Sequence, residues 1–184
     1  MPVQLTLPSL RASDRPPWPG LAGLAALTLL AAAHVVQAFG YPPCELCLKQ
    51  RDVYWIAAAI GGASALLLAR RRTPGLERAA CLMLALVFLA ECGVAAYHAG
   101  VEWRWWPGPS ACTGGHVRLS AHMLSAALTG ARVRSAVQCD TAAFRVLGLS
   151  MAGWNIPISL GLAVASGVAA ARVRVRGARS ARFV

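Results

Sequence analysis

The chain has 184 residues and a formal net charge of +11, yet only 14% of its residues are charged and 57% are hydrophobic. Soluble domains carry about 25% charged residues, so this composition excludes an ordinary soluble globular domain. Because the apolar residues are gathered into long runs, the sequence indicates a protein that crosses a lipid bilayer.

Four apolar runs approach the length of a transmembrane helix, which needs about 20 mostly apolar residues. They span 21–39, 53–69, 79–97 and 146–171. We therefore predict an all-α membrane protein with a four-helix transmembrane bundle over 21–171. A mobile cytoplasmic arm is expected at 1–20 and a basic cytoplasmic tail at 172–184. The first run is longer than the core of a signal peptide, so we expect it to be retained.

Basic residues divide unevenly between the two sides of such a bundle. Eleven of the 18 lysines and arginines fall in the arm, the 70–78 connector and the tail. The positive-inside rule therefore predicts that both termini are cytoplasmic. In a bacterium the other side is then the periplasm. We expect the basic tail to meet anionic lipid headgroups, and we expect no nucleic acid as a partner.

The first outer loop is short, about 40–47, and carries Cys44 and Cys47 directly after two prolines. Because proline cannot extend the first helix, the pair is expected where the second helix begins, a position that lowers thiol pKa. Two-residue spacing there favours thiol–disulfide exchange. The alternatives are a static disulfide and a metal site completed by Cys112 with His98 or His116; we expect no metal.

Polar and sulfur-containing groups also occur near or inside the apolar runs. Arg51, one helical turn after the cysteine pair, either stabilises a thiolate or an anionic acceptor or extends to the membrane surface. Glu91 and His98 share one face of the third helix. A carboxylate inside a bilayer is a functional candidate, although pairing or protonation would also account for it. His98 either donates a hydrogen bond to an acceptor or caps the helix. Cys81 and Cys92 are expected to be small apolar residues of the interior.

The second outer loop, about 98–145, is long and begins with a tryptophan-rich stretch typical of the membrane surface. Residues 118–134 have a helical period, which predicts an amphipathic helix on the membrane; a helix packed on the loop itself is the alternative. A bond between Cys112 and Cys139 would contribute about 3–4 kcal/mol by the chain-entropy model. The glycines and prolines around Cys112 favour an exposed sulfur that another protein's thiolate can attack.

Three segments resemble the DsbB family, bacterial disulfide bond formation protein B, over about residues 21–170. The first segment fits the pattern P-C-x-L-C-x-x-x-R, and the others resemble the beginning of the second loop and of the fourth helix. They are PCELCLKQR at 43–51, YHAGVEWRWWP at 97–107 with CTG at 112–114, and CD at 139–140 with FRVLGLSMAGWN at 144–155.

The resemblance implies a four-helix protein of the bacterial inner membrane that oxidises a periplasmic DsbA-like dithiol protein and passes the electrons to ubiquinone or menaquinone. Cys44 and Cys47 match the pair next to the quinone, and Cys47 is favoured as the sulfur that contacts it. Cys112 matches the cysteine that forms the mixed disulfide with the partner, and Cys139 completes that pair. Arg51 matches the arginine of the quinone site.

Two further expectations complete the sequence-based prediction. We expect His98 to contribute to the same cofactor site, as the hydrogen-bond donor described above. The main alternative is a quinone-linked enzyme of the vitamin K epoxide reductase type, but there the Cys-x-x-Cys follows the loop cysteines, whereas here it precedes them. The alternative in which the protein is not an enzyme is a membrane scaffold with static disulfides or a metal site.

Overall fold

The computed structural model describes residues 17–71, 73–109, 139–142 and 145–180, with the backbone alone for 174–180. These residues form helices α1 (Trp18–Ala38), α2 (Glu45–Arg70), α3 (Pro74–Glu102) and α4 (Met151–Ser180), with strands β1 (Arg145–Val146) and β2 (Leu149–Ser150). Each helix contains a segment long and apolar enough to cross a membrane. The prediction of an all-α, four-helix membrane bundle is therefore confirmed. The predicted amphipathic helix at 118–134 lies outside the described residues.

The first residues of α2 and α3 follow from the sequence around them. Cys44 is the N-cap of α2, with an extended backbone of φ −78° and ψ 172°. Thr73 is the N-cap of α3 and Pro74 its first residue, the role that a fixed φ suits. At the ends of the bundle, α1 begins at Trp18 and α4 continues to Ser180, so both helices extend past the predicted limits of 21 and 171.

The prediction that the fourth helix begins at 146 is wrong. Residues 145–150 form a small antiparallel hairpin in which Arg145 is opposite Ser150 and Val146 is opposite Leu149. Leu147 and Gly148 make its turn with positive φ angles of 52° and 84°, as a two-residue hairpin turn requires. The apolar residues at 146–149 are compatible with a strand as well as with the first turn of a helix, so their hydrophobicity does not distinguish the two.

The bundle is held together by small residues as well as large ones. Gly23 of α1 and Gly61 of α2 lie backbone to backbone, because neither carries a side chain to keep the helices apart. Trp18 donates a hydrogen bond of 3.0 Å to Ser166, which ties the start of α1 to the later half of α4. The central core consists of Ala22, Ala26, Leu30, Tyr54, Ala57, Ala58, Leu84, Phe88 and Ala163.

The contacts among the helices are unequal, and this shapes the site. The most extensive packing is between α3 and α4. α2 packs on both α1 and α3 and so connects α1 to this pair. α1 packs much less on α4 than on α2. Every helix also exposes large apolar side chains on the outside of the bundle, among them Leu24, Leu66, Leu86 and Val164. In a membrane protein these side chains form the surface that contacts lipid.

Candidate active site

The cysteine pair occupies the N-terminus of α2, as the sequence predicts. Both are free thiols with sulfurs 2.7 Å apart. The backbone N–H of Cys47 donates to Cys44 Sγ across 3.2 Å. The hydrogen bond between the two sulfurs, with burial adding to it, raises the pKa of the Cys44 thiol. The proton of the pair is therefore held on Cys44, which leaves Cys47 as the sulfur better suited to act as a thiolate.

A cavity of about 370 Å³ opens beside the two sulfurs. Its walls are mostly apolar side chains of α1 and α4, including Leu29, Val36 and Ile158. Its polar lining includes Cys47 and Arg51, with Gln50, Tyr54, His98, Glu102 and Asn155. This volume and lining are typical of a site for a small organic ligand. Side chains of all four helices line the cavity.

Arg51 lines this cavity and is anchored to α1. Its guanidinium donates to Oε1 of Gln37 at 2.6 Å and to the carbonyl of Ala33 at 3.0 Å. It also interacts electrostatically with Cys47. A fixed cation in this position stabilises a thiolate or an anionic oxygen in the cavity. The anchoring contacts argue against the alternative of a side chain that simply extends to the membrane surface.

His98 is buried and faces the pair from α3, with Nε2 3.6 Å from Cys44 Sγ. Its other ring nitrogen lies 3.3 Å from Nε2 of Gln50. Gln50 in turn accepts from the side-chain amide of Asn155 at 2.9 Å, and Asn155 accepts from the hydroxyl of Tyr54 at 3.3 Å. His98 therefore does not cap α3; it belongs to a polar network that three helices build inside the bundle.

Glu102 closes the same corner of the cavity. Its side chain is only 6% exposed, and Oε1 lies 3.7 Å from Nε2 of His98, one helical turn earlier on α3. Burial disfavours the charged form of this carboxylate, whereas Ser150 and Arg145 of the hairpin favour it. Oε2 of Glu102 is buried and has no hydrogen-bond partner among the described residues.

Cys139 is buried and disulfide-bonded. It packs in one apolar cluster with Cys44, Leu46 and Val101, and Cys47 lies against that cluster. The structure therefore brings three of the four predicted redox cysteines together. The fourth, Cys112, lies outside the described residues.

The remaining candidates from the sequence lie elsewhere in the bundle. Cys81 and Cys92 are free, and Cys81 is fully buried, in keeping with an interior residue. Glu91 and His98 are both buried on one face of α3, as predicted. Both oxygens of Glu91 lack a hydrogen-bond partner among the described residues. Glu91 does not line the cavity.

Cys44, Cys47 and His98 also form a group that could hold a metal ion. Their two sulfurs and one ring nitrogen all lie within 4.8 Å of one another. Two thiolates and an imidazole suit zinc, provided that the ring nitrogen offers a lone pair. The geometry alone therefore does not separate a redox pair from a metal site, and the protonation of His98 becomes decisive.

Sequence reasoning did not identify the roles of Gln50, Asn155, Tyr54 and Glu102. Two of them carry a signal that could have been used: Gln50 is three residues after Cys47, and Glu102 is four residues after His98. Each spacing places the pair on one helix face. The contact of Gln50 with Asn155 has no such signal, because it depends on how α2 and α4 are rotated against each other.

A family model described as "Disulfide bond formation protein DsbB" matches residues 15–169. The matched region contains all of α1, α2 and α3, most of α4, and all six cysteines. A search of curated proteins and a search of solved structures each found no match.

Proposed function

The chain belongs to the DsbB family of membrane oxidoreductases for disulfide bond formation, and from this premise we propose that it reoxidises a periplasmic DsbA-like dithiol protein and passes the electrons to a membrane quinone. The observation that carries the proposal is the location of the cysteine pair. Cys44 shares one apolar cluster with Cys139 of the second loop, and Cys47 borders the cavity. Electrons can enter the pair from the loop and leave it on the membrane side.

The residues of the cavity fit a quinone. A quinone is a flat apolar ring with two carbonyl oxygens, and when bound it accepts two electrons and two protons. The apolar walls from α1 and α4 suit the ring, and the guanidinium of Arg51 is a donor suited to an oxygen that becomes negative. Because few contacts join α1 and α4, we infer that a molecule dissolved in the bilayer reaches the thiols between these two helices.

The exchange steps balance in atoms and electrons. A thiolate of the partner attacks Cys112, which breaks the Cys112–Cys139 disulfide and leaves a mixed disulfide. The partner's second thiolate resolves it, so the partner is oxidised and the loop pair gains two electrons. The loop thiols then reduce the Cys44–Cys47 disulfide by the same chemistry. The resulting dithiol gives two electrons and two protons to the acceptor and closes to the disulfide again.

Each described residue has a separate task in this scheme. The proton held on Cys44 leaves Cys47 as the first nucleophile toward the acceptor. Arg51 stabilises the negative charge that moves from the sulfur to the acceptor oxygen. His98 and the backbone N–H of Cys47 both reach the sulfur of Cys44, which must become a thiolate when the disulfide re-forms. Cys44 and His98 are buried, which strengthens the electrostatic interactions between them.

We further propose an inner-membrane location with both termini in the cytoplasm. The uneven distribution of arginine and lysine supports this orientation. It puts the cysteine pair, Cys112 and Cys139 on the periplasmic side, where disulfides persist.

The test is quinone reduction by the purified full-length protein with a reduced DsbA-like protein as electron donor. The absorbance of ubiquinone or menaquinone should fall with each turnover, and the donor should become oxidised in equal amount. Cys44→Ser should abolish turnover. Cys81→Ser, which alters a free cysteine of the interior, should retain it. If the folded protein reduced neither ubiquinone nor menaquinone, the proposal would be contradicted. It would also be contradicted if the redox state of the cysteines in membranes did not change when quinone is removed.

A further inference from the structure

A line of buried and half-buried polar side chains leads from the reactive sulfurs along the inside of the bundle. It runs from Cys44 to His98, Gln50, Asn155 and Tyr54, with contacts of 3.6, 3.3, 2.9 and 3.3 Å. His98, Gln50 and Tyr54 are each no more than 6% exposed. Buried polar groups need hydrogen-bond partners, so the hydrogen bonds along this line must be mutually compatible.

The line has a direction, because an amide has one accepting end and one donating end. The oxygen of Asn155 accepts from Tyr54, so its nitrogen donates to Gln50. The oxygen of Gln50 is then engaged, and its nitrogen faces Nδ1 of His98. A donor facing Nδ1 requires a lone pair on that atom. In a neutral imidazole with a lone pair on Nδ1, the proton is on Nε2.

We propose that Gln50, anchored by Asn155 and Tyr54, is a positioning residue that keeps the His98 ring neutral with its proton on Nε2. In this state His98 donates a hydrogen bond to the sulfur of Cys44. It cannot act as the base for that thiol, and it cannot bind a metal through Nε2. A second proton on Nδ1 is disfavoured as well, because it would face the N–H of Gln50.

The direction of this hydrogen bond suits the redox chemistry. Cys44 must carry negative charge when it attacks the sulfur of Cys47, and a donor stabilises that charge. Oε1 of Glu102 lies 3.7 Å from Nε2 of His98, and an acceptor oxygen there also favours a proton on that nitrogen. The same proton protects the reduced pair, because two thiolates and a bare imidazole nitrogen within 4.8 Å would be a zinc site.

The primary test measures the tautomer directly and needs no change at Gln50. Replacing His34, His116 and His122 by Gln leaves His98 as the single histidine of the chain. With ¹⁵N-labelled histidine, an affinity tag free of histidine and a reduced protein in bilayers, solid-state NMR should show a protonated Nε2 and a bare Nδ1. A protonated Nδ1, with or without a proton on Nε2, would overturn the proposal.

Gln50→Glu tests the role of the amide. A carboxylate accepts from Nδ1–H, so the proton should move to Nδ1 and free the lone pair of Nε2. Zn²⁺, titrated alone into the reduced protein, should then bind about 10–100-fold more tightly than to the wild type. Lys49→Gln makes the same change in charge at an exposed neighbouring position and should leave both the tautomer and Zn²⁺ affinity unchanged. An unchanged tautomer in folded Gln50→Glu protein would refute the assignment.

Asn155→Asp repeats the test from one residue further away. Its acceptor oxygens should take the amide nitrogen of Gln50, which turns the oxygen of Gln50 toward Nδ1 and moves the histidine proton without altering His98 or its direct neighbour. This variant also covers the case in which Gln50→Glu does not fold. A proton still on Nε2 in folded Asn155→Asp protein would count against the directed network.

The role in turnover rests on the proposed function, but the tautomer does not. Quinone reduction by the wild type tests the proposed function, whereas the NMR signal of His98 is the same whether or not a quinone is the acceptor. Gln50→Glu should lower turnover about 10–150-fold, as loss of a hydrogen bond to a charged sulfur predicts. Wild-type turnover in a protein whose tautomer has switched would overturn the role given to the Nε2 proton.

Discussion

Nη1 of Arg51 donates a hydrogen bond to Oε1 of Gln37 across 2.6 Å, which fixes a cation of α2 against α1. A second bond, from Nη2 to the carbonyl of Ala33, holds the plane of the guanidinium. An arginine that merely extended to the headgroups would have no need of either partner. The cation therefore belongs to the wall of the cavity, one helical turn from Cys47.

Arg51→Ala should weaken use of the quinone without affecting exchange with the partner protein. Loss of a charged hydrogen bond costs about 1–3 kcal/mol, so kcat/KM for quinone should fall about 5–150-fold, with a higher KM. Arg51→Lys keeps the charge but loses the planar fork, so its kinetics should lie in between. Arg70→Ala removes the same charge from the other end of α2 and should behave as the wild type. Formation of the mixed disulfide at Cys112 is the internal control. Wild-type quinone kinetics in folded Arg51→Ala protein would make the arginine structural.

Much of the fold could be predicted because the bilayer imposes length and apolarity on each span. The four apolar runs located the four helices, and the prolines before Cys44 located the start of α2. The start of α4 was mispredicted because the apolar residues that begin at 146 are compatible with both a hairpin and a helix. Only the positive φ at Leu147 and Gly148 separates the two, and Gly148 is the sole residue there whose type indicates it.

The candidate site was predictable only in part, for a different reason. Cysteine and arginine at fixed spacing on one helix carry their chemistry in the sequence, so Cys44, Cys47 and Arg51 could be named in advance. The network of Gln50 and Asn155 could not, because it joins residues 105 positions apart on two helices. Their contact is set by helix rotation and by the close approach of backbones, which a hydrophobicity pattern does not record.

Gly61→Ala should destabilise the bundle, whereas Gly62→Ala should not. A Cβ on Gly61 would lie 2.6 Å from the carbonyl oxygen of Pro19 and 2.7 Å from the backbone nitrogen of Gly23, and neither can yield. Around Gly62 there is open space. Overpacking of this kind costs about 1–3 kcal/mol, so the thermal midpoint in detergent should fall for the first variant. Gly62→Ala should match or exceed the wild type, because alanine favours helix. Equal midpoints for the two variants would contradict the close packing of α1 on α2.

The proposed orientation predicts which cysteines reagents can reach from outside the cell membrane. An impermeant maleimide added to intact spheroplasts after reduction should label Cys112, because the positive-inside rule puts the second loop outside. Cys81 is fully buried in the bundle and should remain unlabelled under the same conditions, which makes it the matched control. Labelling of Cys112 only after the membrane is ruptured would reverse the orientation.

Cys139→Ser should trap the partner protein. Without Cys139 the sulfur of Cys112 has no partner in its own chain, so a mixed disulfide with the DsbA-like protein should accumulate. Peptide mapping of the trapped species should identify Cys112. Cys92→Ser, which changes a free cysteine of α3, should trap nothing. Mapping of the trapped partner to Cys44 or Cys47 instead would mean that electrons enter by another route.

The two thiols at the start of α2 should differ in reactivity. Cys44 is only 5% exposed, and the hydrogen bond between the sulfurs raises the pKa of its thiol, so it stays protonated at neutral pH. Cys47 is less buried, borders the cavity and lies beside the charge of Arg51. Because only the thiolate is alkylated and each pKa unit changes its fraction tenfold, a short iodoacetamide pulse at pH 7 should modify Cys47 at least about tenfold faster.

The pH dependence of alkylation and the Cys44→Ala variant show whether the proton shared by the two sulfurs causes their difference in reactivity. Alkylation of Cys44 should begin only at alkaline pH, since a raised pKa moves formation of its thiolate upward. Cys44→Ala removes the donor to the sulfur of Cys47, so Cys47 should react more slowly at pH 7 than in the unaltered protein. Quantification of the modified peptides by mass spectrometry gives both rates from one sample. Faster modification of Cys44 at neutral pH would show that the proton is on Cys47, and would exchange the roles of the two sulfurs toward the acceptor.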